Sequence, residues 1–281
     1  MTDSIDTVMS TCLITMYPRA HTQLFDDPFA KAGMKLFDKS ENAGEGLLDM
    51  PNRDRALLSV VIRTKWIDER IEKYVKENLV SQLVIIGCGM DGRAYRMTNL
   101  NNVDVFHVDQ EPIINLRQNI INSSGICLKS KSTRDVSINL ATSLSSLETL
   151  LTEKGYNKSL PSIWIIEGVL MYLTKQETND LLTLIKQLNG SFIIGTHFVE
   201  KTINITRNEN NAMMKTWKTG ITDSFQQEIK EIGWMLKQLD NVGSTTASYN
   251  IKEVPLIELF DSNRKIIDME YSPTVLFVLS N

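Results

Sequence analysis

The feature that most constrains the fold is a regular alternation between short apolar runs and longer, helix-length segments. The runs are rich in Val, Ile and aromatic residues, which favour buried β-strands. Strands separated by helices are typical of βαβ units, so we predict an α/β fold with a mainly parallel sheet. The four clearest runs are LVIIG (83–87), DVFHVD (104–109), IWIIEG (163–168) and SFIIGTHF (191–198).

The end of the chain breaks this alternation. Two apolar runs, KIIDMEY (265–271) and TVLFVL (274–279), are separated only by Ser272 and Pro273. So short a connection joins antiparallel strands, because parallel strands need a much longer crossover. We therefore predict a parallel sheet that ends in an antiparallel hairpin.

We predict a single domain in which two regions lie outside the sheet. The connection at 199–250 is unusually long for a compact domain, which favours a functional lid over surface decoration. The expected parts are a helical N-terminal cap (1–80), a cofactor-binding core (81–198), a lid insertion with a helix near 225–240 (199–250) and C-terminal strands (251–281).

Two helices of the core are predicted individually. Thr174 and Glu177 have the spacing of a capping box, and Gly190 suits the end of the helix that follows them. A second helix is predicted from Thr142 to Gly155. Both lie between apolar runs, as crossover helices should.

Composition excludes several classes of protein. The chain has 281 residues, with 34 acids against 30 bases and a formal charge of −4, so nucleic acid is not an expected partner. No apolar run approaches the length of a membrane span, and the acidic N-terminus is unlike a secretory signal. Three scattered cysteines and three dispersed histidines predict neither disulfides nor a metal site. We expect a cytoplasmic protein.

A glycine-rich turn follows the first strand. Gly87, Gly89 and Gly92 fit the pattern G-x-G-x-x-G, and Asp109 ends the next strand. Such glycines allow a ligand to approach the backbone closely, and an acid at that strand end can accept from ribose hydroxyls. The pattern suits the nucleoside of either a dinucleotide or S-adenosylmethionine. A ligand-free glycine turn is the structural alternative.

Two charged residues help to choose between these ligands. Arg63 lies at the edge of the apolar face of a helix, where a cation needs an anion. Glu167 ends a strand at the edge where α/β sheets bind ligands. Together they could hold the carboxylate and amino group of S-adenosylmethionine. Alternatively, Arg63 pairs with an internal acid, and Glu167 forms a salt bridge or caps a helix.

Four segments resemble the leucine carboxyl methyltransferase-like family, which includes protein-phosphatase carboxyl methyltransferases and bacterial O-methyltransferases of secondary metabolism. The resemblance implies a Rossmann-like class I fold with a seven-stranded sheet, and an enzyme that uses S-adenosylmethionine. The segments are R-T-K-W-I-D (63–68), I-I-G-C-G-M-D-G-R-A-Y-R (85–96), V-F-H-V-D-Q (105–110) and I-E-G-V-L-M-Y-L (166–173).

The resemblance also assigns cofactor contacts. It implies that Arg63 binds the methionine carboxylate, that Gly87 and Gly89 form the loop, that Asp109 binds ribose, and that Glu167 lies near the amino end. The adenine contact falls on Asn139 and Leu140, where the family usually has Asp-Leu. The carbonyl of Asn139 can still accept from the adenine amino group. Arg19 either adds a second cation at the carboxylate or pairs with Asp26 or Asp27.

The acceptor is expected to be a small secondary-metabolite molecule, and the oligomeric state is unknown. A carboxylate needs no base and would give a methyl ester. A hydroxyl would need one, for which His197 is the main candidate and Tyr172 a weaker one. Other readings are a non-catalytic cofactor-binding protein and a nicotinamide-dependent oxidoreductase. Residues that could line the acceptor pocket are Met16, Tyr17, Tyr172, His197, Met213, Met214 and Trp217.

Overall fold

The computed structural model describes residues 2–37, 53–206, 214–243, 245, 249 and 274–281 of the chain. The strands among these residues are β1 (Gln82–Ile86), β2 (Asp104–Asp109), β3 (Ser132–Ser137), β4 (Ser162–Ile166), β5 (Gly190–Phe198), β6 (Met235–Asn241) and β7 (Thr274–Ser280). They form one seven-stranded sheet with the order β3-β2-β1-β4-β5-β7-β6.

The sheet is parallel except at one end. β3, β2, β1, β4 and β5 pair in parallel, whereas β7 runs antiparallel to both β5 and β6. This confirms the prediction of a mainly parallel α/β sheet with an antiparallel end. The antiparallel neighbours of β7 are β5 and β6, and the segment 265–271 lies outside the described residues.

Two strands are not predicted from the sequence, because they are polar. β3 has the sequence STRDVS and β6 has MLKQLDN, so neither contains an apolar run. The helix predicted near 225–240 is wrong beyond Glu231. It ends there, Gly233 takes a φ of +88°, and β6 then pairs with β7. Only Leu236 and Leu239 of β6 pack on the core, which is enough for a strand at the end of the sheet.

Helices cover both faces of the sheet. Their bounds are α1 (Thr2–His21), α2 (Pro28–Phe37), α3 (Arg53–Lys76), α4 (Arg93–Arg96), α5 (Glu111–Ser124), α6 (Leu140–Ser143), α7 (Leu147–Glu153), α8 (Lys175–Gln187), α9 (Glu200–Thr206) and α10 (Phe225–Glu231). We call the face that packs against α1, α2, α3 and α5 the cap face. The opposite face packs against α7, α8 and α10.

Alternation along each strand divides the core into these two faces. In β5, Ile194 packs on the cap face and Ile193 on the opposite face. In β4, Ile165 and Ile166 divide in the same way. Both faces are apolar because both are covered by helices, which explains the continuous apolar runs of the central strands.

The predicted capping box of α8 is confirmed. Thr174 Oγ1 accepts from the Glu177 amide at 3.2 Å, and Glu177 Oε2 accepts from the Thr174 amide at 2.6 Å. The helix predicted from Thr142 is broken by a 3-10 turn, so α7 begins at Leu147. α1, α2 and α3 agree with a helical region before β1, while the division into cap, core and lid stays a prediction. No described helix is both long and apolar enough to span a bilayer.

Candidate functional site

The carboxyl ends of β1, β2 and β4 lie at one edge of the sheet. β1 pairs with β2 on one side and with β4 on the other, so the order in which the chain adds strands to the sheet reverses at β1. A crevice forms at such a switch point, and ligands of α/β proteins bind in it. Gly87, Asp109 and Glu167 all lie at this edge, as their positions at strand ends predict.

The glycine loop is bound to Asp109. Gly87 and Gly89 have φ values of +58° and +45°, in the left-handed region that favours glycine. The Gly89 amide donates to Asp109 Oδ2 at 2.8 Å, and the Gln110 amide donates to Oδ1 at 2.8 Å. Burial raises the pKa of Asp109 despite these donors. The carboxylate keeps acceptor capacity beyond these two backbone contacts.

Arg117 supports the loop from beneath. Its Nη1 donates to the carbonyls of Gly89 and Asp91, each at 2.8 Å, and its guanidinium stacks on Phe29. The side chain is fully buried. Sequence reasoning missed this residue, although Arg117 follows the buried Ile113 at helical spacing. A cation on an apolar helix stripe is the same signal that identified Arg63.

Glu167 binds two of the predicted cations. Its Oε1 accepts from Arg19 Nη2 at 2.7 Å and from Arg63 Nε at 2.8 Å. Burial alone would raise the pKa of Glu167, but Arg19, Arg93 and Arg63 hold it well below its usual value. Arg63 therefore has the internal acidic partner that its position required. Arg19 pairs with Glu167, whereas Asp26 pairs with Lys31 and Asp27 with Arg96.

Arg93 is central to the site, and sequence reasoning missed it. Its side chain is 1% exposed and donates to three acids: Nε to Asp68 at 2.7 Å, Nη2 to Glu167 Oε2 at 3.0 Å, and Nη1 to Asp91. Burial opposes its charge, but these carboxylates raise the pKa of Arg93 well above its usual value. The only signal was its place in D-G-R-A-Y-R, directly after the glycine loop.

Arg96 extends the same network. Its Nη2 donates to Asp68 Oδ1 at 2.9 Å, and its Nε lies 3.3 Å from Asp27 Oδ2. We call the connected set the charge cluster. It joins α1, the α2 N-terminus, α3, α4 and the end of β4 through Arg19, Asp27, Arg63, Asp68, Asp91, Arg93, Arg96 and Glu167.

Asn139 and Leu140 lie just beyond β3 on the same side of β1 as Asp109. Asn139 is exposed and caps α6, and its Oδ1 accepts from the Ala141 amide at 3.1 Å. Leu140 is half-buried and packs at the edge of the opposite-face core. The side-chain amide of Asn139 is thus oriented by its own backbone turn.

His197 does not lie with the charge cluster. Its neighbour Thr196 accepts from the Gly168 amide at 3.0 Å, so His197 points to the opposite face. There it lines a cavity of about 320 Å³ with Leu182 and Phe277. His197 Nδ1 accepts from the Phe198 amide at 2.9 Å, and burial lowers its pKa to about 3. His197 therefore points away from the charge cluster, and its assignment as a base stays a prediction.

Tyr172 lies in an apolar cluster that follows the end of β4. It packs with Met171, Ile203, Phe198 and Trp217, and the rings of Phe198 and Trp217 stack at 4.5 Å. Burial raises the pKa of Tyr172, while the charge of Arg63 acts to lower it. A phenol with a raised pKa is a poor base near neutral pH.

The remaining candidates for the acceptor pocket are Met16, Tyr17, Met213 and Met214. Met16 is fully buried in the cap-face core. The ring centroids of Tyr17 and His21 lie 4.4 Å apart, with the rings tilted by 31°. Met213 lies outside the described residues, and the side chain of Met214 is not among those described. Within the described ranges, no three His, Cys, Asp or Glu side chains form a group suited to a metal ion.

Two solved structures share this fold. A duf574 family protein from Streptomyces avermitilis matches with a TM-score of 0.58 and 12% identity, over 96% of this chain and 97% of that chain. A protein from Thermobifida fusca, provisionally named a methyltransferase, matches with a TM-score of 0.56 and 13% identity, over 89% and 93%. At these identities the likeness shows the fold alone, which is the Rossmann-like fold of class I methyltransferases.

Sequence comparison identifies the family. A Frankia alni protein, provisionally named an S-adenosyl-L-methionine-dependent methyltransferase, is 29% identical over 176 residues, 60% of this chain and 58% of that protein. A protein of the same name from Mycolicibacterium gilvum is 27% identical over 198 residues, 66% and 64%. These matches span less than two thirds of each relative's length. The leucine carboxyl methyltransferase profile matches residues 8–186. The chain belongs to that family.

Proposed function

We propose that this protein is an S-adenosylmethionine-dependent methyltransferase that acts on a carboxylate of a small secondary-metabolite acceptor. The observation that carries the proposal is the arrangement of Glu167, Arg19 and Arg63 at the switch-point edge, beside a glycine loop bound to Asp109. An acid and two guanidinium groups match the ammonium and carboxylate of an amino acid. The nearby Asp109 matches a ribose. These are the two ends of S-adenosylmethionine.

The residues present fit that cofactor. Arg63 and Arg19 would hold its carboxylate, Glu167 its ammonium, Asp109 its ribose hydroxyls, and Asn139 with Leu140 its adenine. Oδ1 of Asn139 already accepts from Ala141, so we expect adenine to be held with fewer strong bonds than an aspartate would provide. When bound, S-adenosylmethionine supplies a methyl group carried on a sulfonium.

The acceptor chemistry follows from which groups surround the crevice. His197 faces the other side of the sheet, and the phenol of Tyr172 has a raised pKa. Glu167, Asp68 and Asp91 are engaged with arginines, and Asp109 accepts from the amides of Gly89 and Gln110. An acceptor carboxylate is ionised without a base, so its oxygen can attack the methyl carbon while the carbon–sulfur bond breaks. No proton moves in that step.

The apolar cluster of Met171, Tyr172, Phe198, Ile203 and Trp217 supports an acceptor with an apolar body. Met171 and Tyr172 lie in the short turn Leu170–Tyr172, which follows Glu167 at the end of β4, so we expect the cluster to border the amino-acid end. Aromatic walls exclude water and align the acceptor, which is the main requirement of an in-line methyl transfer. The resemblance to a family that includes O-methyltransferases of secondary metabolism also supports a small-molecule acceptor.

The product distinguishes the carboxylate proposal from a hydroxyl acceptor. Purified protein is incubated with S-adenosylmethionine labelled on its methyl group and with fractions of cell extract. We expect a labelled product that releases methanol in mild base, as a methyl ester does. We expect His197→Leu to retain most of this activity, because His197 lies away from the crevice. A base-stable ether, formed only when His197 is intact, would contradict the proposal.

Calorimetry combined with the same labelling experiment tests the alternative of a non-catalytic cofactor-binding protein. Calorimetry first measures binding of S-adenosylmethionine to the protein, with Asp109→Ala as the variant expected to weaken it. Binding without any labelled product across all fractions would favour a cofactor-binding protein. No binding of S-adenosylmethionine at all would remove the proposed cofactor.

A further inference from the structure

The charge cluster is electrically balanced without a ligand. It contains four guanidinium groups and four carboxylates, so its formal charge is zero. The side chains are buried, from 0% exposed for Asp27 to 13% for Asp68. An uncompensated charge in such a place is costly, because solvent cannot replace the missing partner. Any ligand that enters this cluster must therefore preserve its balance.

The two oxygens of Glu167 have different partners. Oε1 accepts from Arg19 and Arg63, each of which makes its only described ion pair there. Oε2 accepts from Arg93, whose other nitrogens bind Asp68 and Asp91. Releasing Arg93 would break three ion pairs, whereas releasing Arg63 breaks one. Oε1 is the exchangeable oxygen, and Oε2 is the anchored one.

We infer that the amino-acid end of the cofactor binds by exchanging ion-pair partners on Glu167 Oε1 while Arg93 keeps Oε2 in place. This inference rests on the proposed function. The ligand ammonium replaces Arg19 and Arg63 on Oε1, and the ligand carboxylate binds the two guanidinium groups thus freed. Arg93 is a positioning residue: it acts through Glu167 and does not touch the ligand.

Exchange makes the two charges of the ligand interdependent. A ligand with both charges leaves the cluster balanced, and a ligand with neither leaves the original pairs intact. A ligand with only one charge leaves either Glu167 Oε1 or the guanidinium groups of Arg19 and Arg63 without a partner. We therefore expect a singly charged ligand to bind no better than one that lacks the amino-acid charges altogether.

Four probes that lack the sulfonium charge test this expected order of affinities. They are S-adenosylhomocysteine, its decarboxylated amine, its deaminated acid and methylthioadenosine, which lacks both charged groups. Calorimetry measures each dissociation constant at neutral pH. We expect S-adenosylhomocysteine to bind at least ~100-fold more tightly than either singly charged probe, because a buried unpaired charge opposes their binding. Both should bind no more tightly than methylthioadenosine.

Variants of two neighbouring arginines test the role of Arg93. Arg93→Lys keeps a positive charge but loses the fork that reaches three acids. We expect it to reduce the preference for S-adenosylhomocysteine over methylthioadenosine about 10-fold, with little change for methylthioadenosine itself. Arg96→Lys is the matched control, because Arg96 lies on the same short helix and binds Asp68 and Asp27 but not Glu167. It should leave the preference unchanged.

The outcomes separate the exchange from the proposed function. If S-adenosylhomocysteine fails to bind the wild-type protein, the proposed function fails. If it binds but the singly charged probes fall between it and methylthioadenosine, the charges act independently and exchange is overturned. Equal loss of preference in Arg93→Lys and Arg96→Lys would reduce Arg93 to a structural role. Thermal unfolding of both variants establishes that each is folded at the temperature of the measurement.

Discussion

The two faces of the sheet carry opposite chemistry at the same edge. On the cap face, Glu167 lies among three guanidinium groups and every described charge of the cluster has a partner. On the opposite face, His197 is 5% exposed beside an apolar cavity, and burial alone lowers its pKa to about 3. The buried titratable groups of the cap face are charged and paired, whereas the buried imidazole of the opposite face is kept neutral.

The difference teaches that residue type is a weaker guide to function than the face on which a strand places the residue. Thr196 and His197 are adjacent in β5, yet Thr196 contacts the loop after β4 while His197 points away from it. A titratable side chain near the ligand-binding edge therefore has two possible environments. The charged one suits recognition of a charged ligand, and the neutral one suits packing.

The largest expected effect is on the cap face. Glu167→Gln removes the carboxylate that three arginines share, so we expect the free energy of unfolding to fall by about 3–5 kcal/mol. Denaturant unfolding at pH 7 measures it. The matched control is Glu148→Gln, which breaks an exposed pair with Lys158 and should cost less than about 1 kcal/mol. Equal losses would mean that the cluster stabilises the fold no more than a surface pair does.

The second effect is a pH dependence from the opposite face. The pKa of His197 falls from 6.5 to about 3 on burial, so between these values the unfolded chain binds a proton that the native protein does not. Stability contributed by neutral His197 is present above pH 6.5 and is lost as the pH falls. The loss approaches about 1.4 kcal/mol per pH unit.

His197→Leu tests this dependence directly. Between pH 6.5 and pH 5, unfolding free energy should fall less steeply in the variant than in the wild type. The slope of the variant is not zero, because burial also lowers the pKa of His107. Identical slopes in wild type and His197→Leu would show that His197 is not kept neutral in the native protein.

The sequence predicts the central parallel strands well because both faces of the sheet are buried there. Strands of this kind must be apolar throughout, so their runs are visible without any partner. β3 and β6 could not be predicted from the sequence for the converse reason. Each is held by pairing with a neighbouring strand and has no apolar run of its own. The sequence therefore wrongly predicts that the helix continues over 235–240, where the structure has β6.

The candidate site was predictable only in part. Gly87, Asp109 and Glu167 follow strands, so the shared edge could be predicted from strand ends alone. Arg93 and Asp91 carry no such signal, because a charged residue beside a loop is usually solvated. Their burial depends on α3 supplying Asp68, which is remote in sequence. Similarly, the orientation of His197 depends on the register of β5, and a shift of one residue would reverse it.

The third effect compares the two ends of one strand. Asp109 ends β2 at the crevice, whereas Asp104 begins β2 and binds Lys131 and Ser132. We expect Asp109→Ala to weaken S-adenosylhomocysteine binding by about 1–3 kcal/mol, because the ribose hydroxyls lose an acceptor. Asp104→Ala should leave binding unchanged. Calorimetry on both variants makes the comparison, and unchanged affinity in Asp109→Ala would remove Asp109 from the site.

The smallest effect concerns an ion pair near the cavity of the opposite face. Lys175 Nζ lies 2.7 Å from Glu228 Oε1, a distance similar to that of the Arg63 pair with Glu167. Lys175 is 64% exposed, however, so water already solvates its charge. A double-mutant cycle with Lys175→Met and Glu228→Gln should give a coupling energy of about 0.2–1 kcal/mol, and salt should reduce it. The corresponding cycle on Arg63 and Glu167 should give a larger coupling that salt hardly changes. If the two couplings were alike in size and salt dependence, the contrast between paired charge in the cap-face cluster and solvated charge on the other side would not hold.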